Sequence, residues 1–419
     1  MNSELLQQVR IIDPVASTDC VGDVLIVDGV IQALQEEISE YPTDALIRDC
    51  RGLVLGPGLV DLYSHSGEPG FEERETWRSL VASATSGGFT RLYILPDTMP
   101  PVENVAVLTR LQQQVEAESL KIQFWAALTT NSAQQMTELA ELAAADIVGF
   151  SDGQPIVNLA LLRRLLEYLK PLNKPVALWA CDRQLVGNGV MREGHASIRF
   201  GLPGNPAVSE TSALAAILEV VAAVGTPVHM MRISTARSVE LIQSAKTQGL
   251  PVTASTTWMH LLLDTHAIKS YDPNLRLEPP LGNAADVKAL REGVRLGIID
   301  AIAIDHTPYT YEEKTVAFAE APAGAIGLEL ALPLLWQHLV ETSEWSAVEL
   351  WRSLSNHPAQ CLQQNVSAIA PGKPLEMILF DPQQIWTAQA QTLKSLSTNT
   401  PWLGQKLTGR IVQTWISQS

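Results

Sequence analysis

Gly56-Pro57-Gly58-Leu59-Val60-Asp61-Leu62-Tyr63-Ser64-His65-Ser66-Gly67-Glu68-Pro69-Gly70-Phe71 lies near the start of the chain and predicts its fold. An apolar run closes on Asp61, a short alternation follows, and a loop rich in Gly and Pro ends it. That order reads as a buried parallel strand that delivers side chains to a site at its C-terminal end.

Working outward, the same strand-then-helix rhythm repeats. Further strands are expected at Thr90 to Leu95, Gln123 to Ala127, Ile147 to Phe150, Pro175 to Trp179, Val228 to Ile233, Pro251 to Ala254 and Ala301 to Ile304. Helices are expected between most of them, as at Gln134 to Ala143, Leu159 to Leu169, Glu210 to Val224, Ala236 to Lys246 and Val287 to Leu296. Buried strands alternating with amphipathic helices predict an α/β fold, a (β/α)8 TIM barrel whose chemistry sits at the C-terminal strand ends. Periodicity alone leaves the strand count open. Before the barrel, Val24 to Val27 and Val30 to Leu34 flank Asp28-Gly29, a hairpin signal. Strands are also expected at Leu375 to Pro382 and Gly409 to Trp415.

The chain has 419 residues, 46% apolar and 18% charged, enough for one barrel and a small satellite domain. Its 45 acidic against 29 basic residues, a formal charge of -16, oppose nucleic acid and anionic membranes as partners. No apolar run is long enough to span a bilayer, and Met1 to Val9 lacks the basic stretch and apolar core of a secretory leader, so a cytoplasmic protein is expected. Cys20, Cys50, Cys181 and Cys361 lie far apart without Cys-x-x-Cys spacing, which suggests free thiols.

The quoted stretch resembles strand one of the dihydroorotase and hydantoinase branch of the amidohydrolase superfamily, whose motif is Pro-Gly-x-x-Asp-x-His-x-His followed by x-Arg-Glu-Pro-Gly. The resemblance spans essentially the whole chain. It implies eight barrel strands (residues 56–365) beside a small β-sandwich built from residues 1–55 and 366–419. It also implies a binuclear zinc site: two histidines from strand one, a modified lysine or an acid, histidines from strands five and six, and an aspartate from strand eight. Such a site activates a bridging hydroxide between ions about 3.5 to 4 Å apart.

Several of those positions differ here. His65 matches the second strand-one histidine, but Tyr63 stands on the first, and a neutral phenol is a poor ligand near pH 7. Ile147 to Gly153 resembles Phe-Ser-Asp-Asp-Gly with one acid fewer, leaving Asp152 as the candidate carboxylate. Trp179 falls on the strand-five histidine. In Val228 to Thr235, similar to His-x-x-His-Val-Ser-Thr, His229 matches the histidine that is not the usual ligand and Arg232 replaces the one that is. Asp305-His306-Thr307-Pro308-Tyr309 matches Thr-Asp-His-x-Pro-His, placing Asp305 on the catalytic aspartate and Tyr309 on the closing histidine. The substrate-gripping arginine and two asparagines of the family correspond to Gly67, Asp97 and Glu278.

His65, Asp152 and Asp305 thus remain as candidate metal ligands, able to hold one zinc weakly, while Arg232 brings a permanent cation among them that can pair with Asp305 or Asp152. Trp179 is expected to fill volume once given to a histidine and an ion. Losing the arginine at Gly67 and gaining carboxylates at Asp97 and Glu278 is expected to make the pocket repel anions. Alternatively, His65 simply hydrogen-bonds Asp305, and Asp305 and His306 form a structural pair. A serine nucleophile at Ser64, Ser66 or Ser151 lacks the Gly-x-Ser-x-Gly elbow.

Two readings follow from the resemblance. In one, the chain is a non-catalytic dihydroorotase homologue without a cofactor, an oligomer-forming structural partner of aspartate transcarbamoylase, the preceding enzyme of pyrimidine biosynthesis. In the other, it is a cyclic-amide hydrolase with a reduced zinc site, Asp305 serving as general acid and base.

Overall fold

The computed structural model describes residues 3–130, 135–373 and 375–416. Met1 and Asn2, at the chain's beginning, and Gln134, the expected start of a helix, lie outside the described residues. All eight expected barrel strands form: Leu59–Ser64, Phe89–Ile94, Lys121–Ala126, Gly149–Phe150, Ala177–Trp179, Val228–Met231, Val252–Thr257 and Ala301–Ala303. The first four pair in parallel, as do the last four, and a parallel bridge between Phe150 and Val176 joins the two halves. The circle closes between strands one and eight. There the Asp305 N–H donates to the Tyr63 carbonyl at 3.2 Å, and the His65 N–H donates to the His306 carbonyl at 2.9 Å.

Asp61 explains why this closure holds. Its buried carboxylate accepts the Ile304 N–H at 2.8 Å and the Ser64 hydroxyl at 2.5 Å. Burial outweighs these hydrogen bonds and pushes the Asp61 pKa up to about 7.

The period of two along each strand separates two apolar layers. Val60, Leu62, Tyr93, Leu95, Trp125, Val148, Trp179 and Met231 fill the barrel interior. Leu59, Leu92, Ile94, Phe124 and Leu178 belong to the larger core shared with the surrounding helices. Helices Leu159–Leu169, Val208–Val224, Ala236–Thr247 and Ala284–Arg295 agree with the sequence reading to within a few residues. The helix expected from Gln134 is shorter, Leu139–Ala144.

The two chain ends build one β unit, a seven-stranded sheet in which Met377–Thr387 pairs antiparallel with Val54–Pro57. The predicted hairpin joins Thr18–Val27 to Val30–Gln35. Asp28 and Gly29 both adopt the left-handed backbone that its tight turn requires. Between the last two strands, residues 388–405 leave the sheet and strap the barrel. Leu396 donates its N–H to Glu75, Lys394 and Ser395 donate theirs to Glu329, and the Trp402 ring stacks on Trp258 at 5.0 Å. No helix of the described residues is long and apolar enough to cross a membrane.

Candidate functional site

At the C-terminal mouth of the barrel, the ends of strands one, two, six and eight bring four charged side chains together. Arg232 is their centre. Its Nε donates to Asp305 Oδ2 at 2.8 Å and its Nη2 to Asp305 Oδ1 at 2.7 Å, a bidentate pair. Nη1 donates to the Gly153 carbonyl at 3.2 Å, and Nη2 also lies 3.2 Å from His65 Nε2. On its other side, His65 Nδ1 meets Asp97 Oδ2 at 2.6 Å. Arg232 and Asp305 both occupy left-handed backbone, with φ of 57° and 54°, a strain their mutual pairing helps to hold.

The surroundings complete a dense cation cradle. Two guanidiniums, those of Arg232 and Arg183, lie over the Trp179 indole, each 4.8 Å from its ring centroid. The buried Tyr63 hydroxyl accepts the Arg232 backbone N–H at 3.1 Å and lies 3.0 Å from Ser255 Oγ. Ser255 in turn lies 2.9 Å from Nε2 of His229, whose burial holds its pKa down at about 3. Burial also drives the Tyr63 hydroxyl well above its ordinary pKa, so it stays a neutral phenol.

Three expectations need correction. Asp152 does not join His65 and Asp305: its carboxylate accepts N–H groups of Leu128 at 2.7 Å and Thr129 at 3.0 Å, and the Thr129 hydroxyl at 2.8 Å, so it clamps a loop. His306 turns away from Asp305. Its Nδ1 accepts the Gly327 N–H at 3.2 Å while Nε2 lies 3.4 Å from Glu75, so the two adjacent residues serve different elements.

The third concerns charge. The cleft of about 400 Å³ above Arg232 does not carry an uncompensated negative lining. Asp97 faces His65, while Glu278 accepts from Arg183 at 2.9 Å and from Arg276 at 3.2 Å. Each acid that the sequence comparison places on a substrate-gripping position has gained a cation of its own. Gly67 has a steric reason instead: a Cβ there would stand 2.5 Å from backbone atoms of Glu75 and Phe71, so this loop has no room for a side chain at that position.

A zinc pair does not fit these residues. Both oxygens of Asp305 are taken by a guanidinium, Tyr63 keeps its proton, Trp179 offers no lone pair, and Asp152 is engaged elsewhere. Among the described residues, no group of three or more His, Cys, Asp and Glu side chains is placed to hold a metal ion.

Burial pulls the His65 pKa down, but the charge of Asp97 and the contact with Asp305 outweigh it and raise it to about 9. The stabilisation from charged His65 is therefore complete below its ordinary pKa near 6.5 and fades as pH rises through about 9. An NMR titration of the His65 ring is expected to show a midpoint well above 7. Asp97→Asn should move it down, and a midpoint near 6.5 in both proteins would contradict the coupling.

Sequence reasoning missed Asp61, Ser255 and the Gly153 carbonyl as parts of this site. Asp61 was within reach, because a carboxylate inside an apolar strand needs buried donors. Ser255 and a backbone carbonyl carry no such signal.

Residues 52–238 match a family model described as dihydro-orotase-like. The chain is 44% identical to a "Probable dihydroorotase-like protein" of Synechocystis sp., covering 98% of this chain and 99% of that one. It is 36% identical to a "Dihydroorotase" of Geobacter sp. strain M21, covering 98% and 97% respectively. In structure it is similar to the L-hydantoinase (dihydropyrimidinase) of Arthrobacter aurescens, with a TM-score of 0.85 at 19% identity over 100% of this chain and 98% of that one. That likeness concerns the fold, which is the amidohydrolase barrel with its β domain. On the extent and level of these identities, the chain belongs to the dihydroorotase-like family within the dihydroorotase and hydantoinase branch of the amidohydrolase superfamily.

Proposed function

We propose that this chain is a pyrimidine-related, dihydroorotase-like protein of the cytoplasm that has given up ring hydrolysis and serves as an oligomeric structural partner of aspartate transcarbamoylase. One observation carries this reading: the bidentate Arg232–Asp305 pair. Burial raises the Asp305 pKa, but the Arg232 charge more than reverses this and holds it well below the usual carboxylate range. A carboxylate held in that way is a weak proton acceptor, and general acid and base work needs a pKa near the working pH. The partner comes from the family resemblance, in which members with comparable losses associate with that enzyme.

The competing reading, a zinc-dependent cyclic-amide hydrolase acting on dihydroorotate and carbamoyl aspartate, draws on the open cleft beside Asp305 and on relatives named dihydroorotase. Metal analysis of the purified chain together with a dihydroorotate turnover assay separates the two. Zinc far below one ion per chain and turnover at the blank level are expected. Stoichiometric zinc with turnover would overturn the proposal. Co-purification with aspartate transcarbamoylase tests the partner directly, and a chain that stays alone counts against it.

A further inference from the structure

Three large apolar side chains from separate segments surround the strand-one loop at the barrel mouth: Met99, 59% exposed, Tyr311, 72%, and Leu396, 55%. Each segment is fastened to residues 69–75. The Met99 N–H donates to the Pro69 carbonyl at 3.2 Å, and the Leu396 N–H donates to Glu75 Oε1 at 3.1 Å. The short helix Tyr311–Lys314 is tied down by Arg74 Nε, which donates to Glu313 Oε1 at 3.0 Å. The Ser397 hydroxyl adds a bond to the Arg74 carbonyl at 2.8 Å, and the Arg74 guanidinium covers the Phe71 ring at 4.1 Å. The backbone segments that carry these apolar groups are thus tied to one loop, while water covers most of the side chains' surface.

The charge around them is acidic. Glu72 and Glu73 on the loop, Glu312 beside Tyr311 and Glu320 farther on are exposed, with Lys394 and Arg78 as neighbouring exposed cations. Exposed apolar groups on fastened segments, set in a charged rim, are the pattern of a protein docking face.

We infer that the rim formed by Met99, Tyr311 and Leu396 is the face that docks a protein partner with a basic surface bearing apolar sockets. This rests on the assembly reading above. Charge selects the kind of partner: a second copy of this chain carries -16 itself and would meet the acidic rim with like charge. The docked partner would close the cleft mouth, because Tyr309, two residues before Tyr311, and Phe71 of the strand-one loop line that cleft.

The test uses the full chain, purified aspartate transcarbamoylase of the same organism and two triple variants. Met99→Ala/Tyr311→Ala/Leu396→Ala removes the apolar anchors and should weaken binding by roughly 30-fold or more, as loss of interface anchors does. Glu72→Lys/Glu73→Lys/Glu312→Lys should slow association about tenfold and flatten its salt dependence. All six positions are exposed, and the side-chain bond lost, from the Gly70 N–H to Glu72 at 3.0 Å, lies on an exposed turn, so thermal melts close to the wild type should accompany both effects. If the wild-type chain binds and both variants bind equally well, the face is overturned while the partner reading stands. If the wild-type chain does not bind, both fall. If sedimentation shows a homo-oligomer that the apolar variant dissolves, a second copy occupies the face and the assignment to a basic partner is overturned.

Discussion

Arg232→Met is expected to cost about 3–5 kcal/mol of folding stability, the usual penalty for removing one partner of a buried ion pair. The loss comes mainly from what is left behind. Asp305 would remain largely out of water with its two shortest hydrogen bonds gone, His65 3.5 Å from Oδ1 as its nearest remaining cation, and its left-handed backbone unsupported. Trp179 would also lose one of its two stacked guanidiniums. Asp305→Leu alone should be damaging as well, since it strands the buried Arg232 cation. The double variant Arg232→Met/Asp305→Leu is expected to recover much of the loss, because no uncompensated charge remains. Guanidinium unfolding of the wild type and the three variants closes the cycle. A single-variant loss below about 1 kcal/mol, or strictly additive losses, would show that the pair does not organise the site.

Trp351→Ala should be comparably costly, about 3–5 kcal/mol, as for large aromatic side chains removed from cores. Trp351 lies in the helix Ala347–Leu354 and is fully buried. Its indole N–H donates to the Pro57 carbonyl at 2.9 Å, and its ring meets Trp336 edge-on at 6.1 Å and Phe380 at 6.5 Å. Pro57 ends the strand through which the β unit passes into the barrel, and Phe380 lies in the strand paired with it. The indole therefore packs both units against each other, and its loss should lower the stability of both. Gly56 shows how close that packing is: a Cβ there would stand 2.3 Å from the Trp351 ring. Gly56→Ala should destabilise in the same direction by forcing the ring aside. Denaturant unfolding followed separately by tryptophan fluorescence and far-UV circular dichroism checks both. A loss under about 1.5 kcal/mol for Trp351→Ala, or a β unit that unfolds unchanged, would contradict this role.

A reader of the sequence could place the barrel strands, whose number the family resemblance put at eight, the helix Leu159–Leu169 to the residue, and the hairpin at Asp28-Gly29. Those features follow from local rules: side-chain period, turn chemistry and the backbone freedom of particular residues. The positions at which Tyr63, Trp179 and Arg232 depart from the family motif were equally plain, because a motif fixes where on a strand each residue stands. What each charge does there was not. Arg232 had two acids within reach of the argument, and only the arrangement of strand ends selected Asp305 and left Asp152 to clamp the Leu128–Thr129 loop. Asp97 and Glu278 read as added negative charge, yet His65, Arg183 and Arg276 come from other segments to neutralise them. Sequence alone determined the barrel, its terminal β unit and the identity of the residues at its mouth. Tertiary structure decided their partners, since an ion pair in a low-dielectric site depends on the distance and burial of groups far apart along the chain.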